Sequence, residues 1–139
     1  MGTLASLTIV KLGGSLITYK DQPLSINTQA LQVVARELRN FLSSEKPGKI
    51  FLIHGGGSFG HFYAKQFSLN TKFSRIKTEG VAMTLTSMLQ LHSLVLKQLN
   101  SEKVFCATIL PSELISLDGK GITTNGATRI QSILSCDLI

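Results

Sequence analysis

An α/β fold with an open, mainly parallel sheet and helices on both faces is predicted by three features of this 139-residue sequence. Short β-branched or fully apolar runs alternate with longer stretches whose apolar residues recur at helical spacing, the order that a parallel sheet with right-handed crossovers requires. The first two apolar runs each stop at a cluster of glycines, where open α/β sheets place their ligands. Composition is the third feature. Hydrophobic residues make up 43% and charged residues 16%, enough for one packed domain and the reverse of the balance in disordered chains.

Leu7-Thr8-Ile9-Val10-Lys11-Leu12 reads as a strand entering a tight turn at Gly13-Gly14. Residues 28 to 42 place Leu31, Val34, Ala35, Leu38, Phe41 and Leu42 on one helical face and Arg36 and Arg39 on the other, with Asn27 at the N-cap. Lys46-Pro47-Gly48-Lys49 breaks that helix. Ile50-Phe51-Leu52-Ile53 is apolar at every position, as in a strand covered on both faces. It ends in His54-Gly55-Gly56-Gly57-Ser58-Phe59-Gly60-His61, followed by a short helix to about Phe67. Residues 68 to 79 are polar, basic and aperiodic, and read as a mobile loop. A second long helix spans roughly 80 to 99. Val81, Leu85, Met88, Leu89, Val95, Leu96 and Leu99 form its stripe, and His92 falls on that stripe as a core histidine. Val104 to Leu110 reads as a third strand closed by Pro111. A short helix (Ser112 to Ser116), a Gly-rich hairpin-like segment (Asp118 to Gly126) and a helix (Thr128 to Leu134) follow. The pattern stops in mid-course at Asp137-Leu138-Ile139, so the chain reads as cut.

The net charge of +6 calls for an anionic partner. Lys46, Lys49, Lys65, Lys72, Arg75, Lys77, Lys97 and Lys103 are scattered, without a dense run or interleaved aromatics. Phosphorylated small molecules therefore fit better than nucleic acid, whose one foothold would be the basic loop from Lys65 to Lys77. Cys106 and Cys136 lie in apolar surroundings without CxxC spacing and read as buried free thiols in a reducing cytosol. Met1 to Ser6 lack a basic n-region, and no stretch approaches a membrane span, so a cytoplasmic protein without a membrane partner is expected.

Two segments carry chemistry. In Lys11-Leu12-Gly13-Gly14-Ser15, paired glycines after a strand let backbone N–H groups converge on a phosphate, and Lys11 projects toward the same anion. The alternative is a tight turn with a surface lysine. The second segment satisfies G-x-G-x-x-G through Gly55, Gly57 and Gly60, with Glu79 at about the distance of a ribose-binding acid. That fingerprint belongs after a first strand with its acid capping a second, so the dinucleotide reading fails. A P-loop fails as well, because His61 and Phe62 occupy its Lys and Ser/Thr positions. A phosphate cradle of another type remains. One turn would hold the transferred phosphoryl group and the other an acceptor. His61 can donate to a phosphate and carries charge near neutral pH. It also reads as a helix-start histidine bonded to backbone. His54 reads as a structural anchor for the loop.

The motifs Lys11-Leu12-Gly13-Gly14-Ser15, Ile17-Thr18 and Lys20-Asp21 resemble the opening of amino-acid kinases. His54 to His61, Pro111-Ser112 and the Gly-x-Gly-Ile hairpin at Gly119 to Ile122 are similar to the isopentenyl phosphate kinase branch of that superfamily. Leu91-His92 stands where that branch has Leu-Asn. The resemblance covers nearly the whole chain but about the first half of a family member. It implies an amino-acid-kinase-like αβα sandwich, with residues 1–139 as the N-terminal acceptor-substrate and phosphate-binding half and the C-terminal nucleotide-binding half missing. It implies transfer of the ATP γ-phosphoryl group to isopentenyl phosphate, giving isopentenyl diphosphate for isoprenoid synthesis by an alternative mevalonate route. Lys11 and Lys20 would neutralise ATP phosphates, with Gly13, Gly14, Ser15 and Gly56 lining that site. Gly55, Gly56, Gly60 and His61 would serve the acceptor, and His61, Lys11 and Lys20 would be the catalytic groups. Magnesium would be held through ATP oxygens, with no protein metal ligand. The full-length form would be a homodimer, and Met83 and Val81 are candidates for the isoprenoid slot. A phosphate acceptor is already anionic and needs no general base, which agrees with the lack of a carboxylate beside either turn. The alternatives are a sibling kinase acting on fosfomycin or another phosphate or phosphonate acceptor, and a non-catalytic phosphate-binding domain.

Overall fold

The computed structural model describes residues 7–44, 48–71, 77–118, 121–124 and 126–135. Several expectations fall outside them: the N-terminal six residues, the Lys46-Pro47 break, Lys72 and Arg75, Gly119 of the hairpin, Cys136, and the end at Asp137 to Ile139. The chain divides into two units, residues 1–104 and 105–139.

In the first unit, β1 (Leu7–Leu12) leads into a one-turn helix α1 (Gly14–Ile17), then α2 (Thr28–Leu42), β2 (Lys49–His54), α3 (Gly57–Gln66) and α4 (Thr78–Ser101). α2 starts where the sequence places it, because the Asn27 side chain accepts the Ala30 N–H at 3.1 Å and caps the orphan donors of the first turn. β1 and β2 pair in parallel, joined by the α2 crossover. Alternation along both strands sends Val10, Leu12, Ile50 and Leu52 toward the helices, where Leu31, Ala35 and Leu38 of α2 meet Leu91, Val95 and Leu99 of α4. Burying each of the larger aliphatic side chains among them contributes about 1.5–3 kcal/mol. The other face of the pair, for which a second helical layer is expected, shows Ile9 (65%) and Ile53 (43%) to solvent within this unit.

α4 is longer than expected, and its buried stripe is rotated. Gly80, Ser87, Leu91, Val95 and Leu99 are inside, whereas Leu85 (61%) and Leu89 (52%) are exposed. A helix with apolar residues on several faces allows more than one stripe, and packing against α2 and α3 selects among them. The expected loop at 68 to 79 is anchored at its ends: α4 already begins at Thr78, and the Lys77 ammonium donates to the Ser68 carbonyl at 2.5 Å and to the Thr71 hydroxyl.

The expected third strand at Val104 to Leu110 is not one. Among the described residues this run joins no sheet, and Phe105 and Cys106 are exposed, so Cys106 is not the buried thiol read from sequence. A β-branched run becomes a strand only beside a pairing partner, and β1 and β2 pair only with each other among the described residues. In the second unit, α5 (Pro111–Leu114) precedes an antiparallel hairpin of β3 (Ile115–Asp118) and β4 (Gly121–Thr124), and α6 (Gly126–Ser135) follows. The last helix agrees with the sequence, but the expected helix to Ser116 stops at Leu114, because Ile115 and Ser116 already pair with Thr124 and Thr123 in the hairpin. The Glu113 carboxylate accepts the Leu110 N–H at 2.7 Å and caps α5.

Candidate functional site

The parallel register pairs Leu12 with His54 at the carboxyl ends of β1 and β2. Both glycine turns therefore leave neighbouring strands at the same level. The Gly55 N–H donates to the Leu12 carbonyl at 2.9 Å and extends the pairing one residue into the second turn. Beyond it the two backbones touch. A methyl group on Gly14 would overlap the Gly57 nitrogen and lie 2.6 Å from its Cα, and one on Gly55 would lie 2.9 Å from the Gly14 nitrogen. Gly57 also has φ +48°, the left-handed region open to glycine at little cost. Glycine is needed here for close approach as much as for turning.

One hydroxyl joins the two turns. Thr18, buried at the end of α1, donates to the Gly14 carbonyl at 2.8 Å and accepts the Ser58 N–H at 2.9 Å. The Ser58 hydroxyl in turn donates to the Ser25 carbonyl and accepts the Ser25 N–H, both at 3.3 Å. This ties the loop carrying Lys20 to the second turn. A bridge between Thr18 and Ile26 and a Tyr19 N–H to Ser25 carbonyl bond of 3.1 Å close that loop. In the second turn the Gly55 amide is spent on Leu12, that of Ser58 on Thr18, and that of Gly60 on the Gly56 carbonyl at 2.9 Å. The N–H groups of Gly56 and Gly57 have no partner among the described residues.

α4 supports the turn from below. The Ser87 hydroxyl donates to the Phe59 carbonyl at 2.7 Å, and a methyl group on Gly56 would lie 2.8 Å from the Met88 sulfur. His54 is tied at both ring nitrogens: Nδ1 lies 3.2 Å from the Gly55 carbonyl and Nε2 lies 2.9 Å from His92 Nδ1. The two rings stack with centroids 5.2 Å apart. The carbonyl can only accept, so His54 carries its proton on Nδ1 and accepts from His92 Nδ1–H. That leaves His92 Nε2 as a bare acceptor, and it is buried without a partner among the described residues. Burial, and secondarily the neighbouring His54, holds the His92 pKa below the usual histidine value.

The sequence-predicted residues are thus partly assembled. Gly13 and Gly14 meet Gly55 to Gly57, with Gly60 behind them in α3. Lys11, Ser15, Lys20 and His61 are exposed around the turns, and no hydrogen bond among the described residues joins any of their side chains to a glycine of either turn. His61 is the fifth residue of α3, and the backbone bond considered for it is absent among the described residues. Sequence reasoning missed Thr18, Ser58 and Met88 as parts of the site. The helical interval from Met88 to His92 was the one available signal that both approach the same turn.

Residues 6–134 match the sequence pattern of the amino acid kinase family. The isopentenyl phosphate kinase of Methanocaldococcus jannaschii is 31% identical over 130 residues, which cover 88% of this chain and 50% of that protein. The isopentenyl phosphate kinase of Methanothermobacter thermautotrophicus is 30% identical over 134 residues, covering 92% and 49%. A solved structure of isopentenyl phosphate kinase superposes with a TM-score of 0.77 at 30% identity, covering 93% of this chain and 54% of that one. The chain spans about half the length of the curated relatives it matches.

Proposed function

This chain belongs to the amino acid kinase family, and we propose that it is the acceptor- and phosphate-binding half of a kinase that converts isopentenyl phosphate to isopentenyl diphosphate with ATP. The observation that carries this is the main-chain contact of two phosphate-type turns, Gly13-Gly14 and Gly55 to Gly57, at the ends of adjacent parallel strands. In this reading an oxygen of the acceptor phosphate attacks the ATP γ-phosphorus. The bond from that phosphorus to the β–γ bridging oxygen breaks, and ADP leaves. The attacking oxygen is already anionic, so no proton has to be removed. Catalysis is then a matter of holding two anions in line and stabilising their charge.

Lys11 and Lys20 neutralise ATP phosphates, and Gly13, Gly14 and Ser15 let the donor approach the backbone. Gly56 and Gly57 offer amides that have no partner among the described residues. Gly55 contributes by lacking a side chain, since its own amide is already bonded to Leu12. Gly60 leaves room at the start of α3, and His61 binds the acceptor phosphate. Among the described residues no group of three His, Cys, Asp or Glu side chains is placed to hold a metal; magnesium, in this reading, arrives on the ATP oxygens and neutralises charge there. The reading takes the complete protein to be a cytoplasmic homodimer. Exposed Leu85 and Leu89, one turn apart on α4, support a self-association surface.

The test is to assay the 139-residue chain alone and fused to the second half of the Methanocaldococcus jannaschii relative, with ATP, magnesium and either isopentenyl phosphate or fosfomycin. Positioning supplies on the order of 7 kcal/mol or more in such reactions, so the chain alone should bind phosphate weakly and turn over almost nothing. The fusion should form isopentenyl diphosphate. Preference for fosfomycin would move the assignment to a sibling kinase. Phosphate binding without turnover in a folded fusion would leave a non-catalytic domain. Robust turnover by the chain alone as a monomer would refute the half-site.

A further inference from the structure

We infer that Thr18 is a positioning residue: its hydroxyl sets the spacing between the two turns and decides which amides of the second turn are left for phosphate. This rests on the phosphate-binding reading above. Thr18 has one proton to give, and it goes to the Gly14 carbonyl of the first turn. Its oxygen then accepts the Ser58 N–H, 40 residues away, in the first turn of α3. The N-cap of α3 is Gly56, which has no side chain with which to cap its own helix. A residue from the opposite turn therefore does the capping, so helix α3 and the first turn are held as one body.

The consequence is a selection among donors. Helix N-termini leave their first amides unsatisfied. Here the Ser58 amide is spent internally, whereas those of Gly56 and Gly57, closer to the first turn, have no partner among the described residues. The same hydroxyl sits where a Gly57 side chain would begin, and Thr18 Cγ2 would lie 2.8 Å from it. Thr18 thus fills the space that the glycine leaves open and holds the Gly14–Gly57 contact shut. A ligand with a single phosphate touches one turn and is blind to this spacing. A ligand with two linked phosphates spans both turns and depends on it.

Three versions of the 139-residue chain, unmodified, Thr18→Val and Thr18→Ser, are titrated with inorganic phosphate and with pyrophosphate and followed by backbone amide NMR. The valine has the same shape without the hydroxyl, and the serine keeps the hydroxyl. Losing about 1 kcal/mol of hydrogen bonding corresponds to about fivefold in affinity. Thr18→Val should therefore weaken pyrophosphate binding by about fivefold while phosphate stays within about twofold, and Thr18→Ser should recover most of the loss. Equal weakening of both ligands, or of neither, overturns the positioning role and leaves the phosphate reading intact. An unmodified chain that binds neither ligand defeats that reading itself, and the inference with it. If Thr18→Val does not fold, hydrogen exchange in the unmodified chain decides. The Ser58 amide should exchange at least about tenfold more slowly than that of Gly56, and equal rates overturn the latch.

Discussion

The two glycine turns follow paired strands at one level, yet they are built differently. Gly13 opens a single helical turn with extended backbone (φ −62°, ψ 141°), and a methyl group there would meet nothing closer than the Ser15 hydroxyl at 4.0 Å. The second turn needs a left-handed glycine at position 57, opens the ten-residue helix α3, and is held by Thr18, Met88 and the His54–His92 pair. The first turn is a simple approach to the backbone, whereas the second is a supported cradle. They press on each other most tightly where Gly14 lies against Gly57.

The largest expected effect tests that place. Gly14→Ala should destabilise the chain by about 3 kcal/mol or more, because its methyl group would overlap main chain that has no free space to move into. Gly13→Ala, one residue earlier in the same turn, should stay within about 1 kcal/mol. Urea midpoints of the two variants check this, and similar losses would erase the distinction between approach and cradle. Next comes His61, the exposed one of the two histidines that flank the second turn. In a complete kinase carrying this segment, His61→Ala should lower turnover of isopentenyl phosphate by about two orders of magnitude through loss of a charge-assisted contact. His61→Gln, which keeps a donor, should lose less. Near-parental rates in both would make His61 a surface residue.

The smallest effect belongs to the cradle's support. His92 titrates below the usual histidine value when folded, so the unfolded chain binds the proton more readily between that lowered value and about 6.5. The contribution of the pair is fully present above about pH 6.5 and is lost as pH falls through the lowered value. His92→Asn keeps an N–H for His54 and removes the titration, so its urea midpoint should change less with acidification. Parallel pH profiles for the two proteins would show that the pair does not couple protons to stability.

Local signals were legible. α2 runs over the predicted residues because an apolar period and a capping Asn27 coincide, and both glycine turns were readable because each terminates an apolar run. Choices that depend on a distant partner were not. The run from Val104 to Leu110 has strand composition but joins neither sheet among the described residues, and α4 has enough leucines for a second stripe. Thr18 looks like any residue ending a short helix until Ser58 is folded against it. The free amide of Gly56 could be anticipated from the turn, but the engaged one of Gly55 could not, since the pairing that consumes it depends on register.

The contact between Gly14 and Gly57 also limits how this sequence can vary. Gly14 faces the nitrogen and Cα of Gly57 and the carbonyl carbon of Gly56, atoms common to every amino acid. A crowded core position can be relieved by shrinking the side chain opposite, so two harmful changes there can rescue each other. Main-chain atoms offer no smaller version. A larger residue at position 14 therefore has no second-site suppressor among the residues it meets, and mutational drift reaches an accommodating state only by moving a strand end.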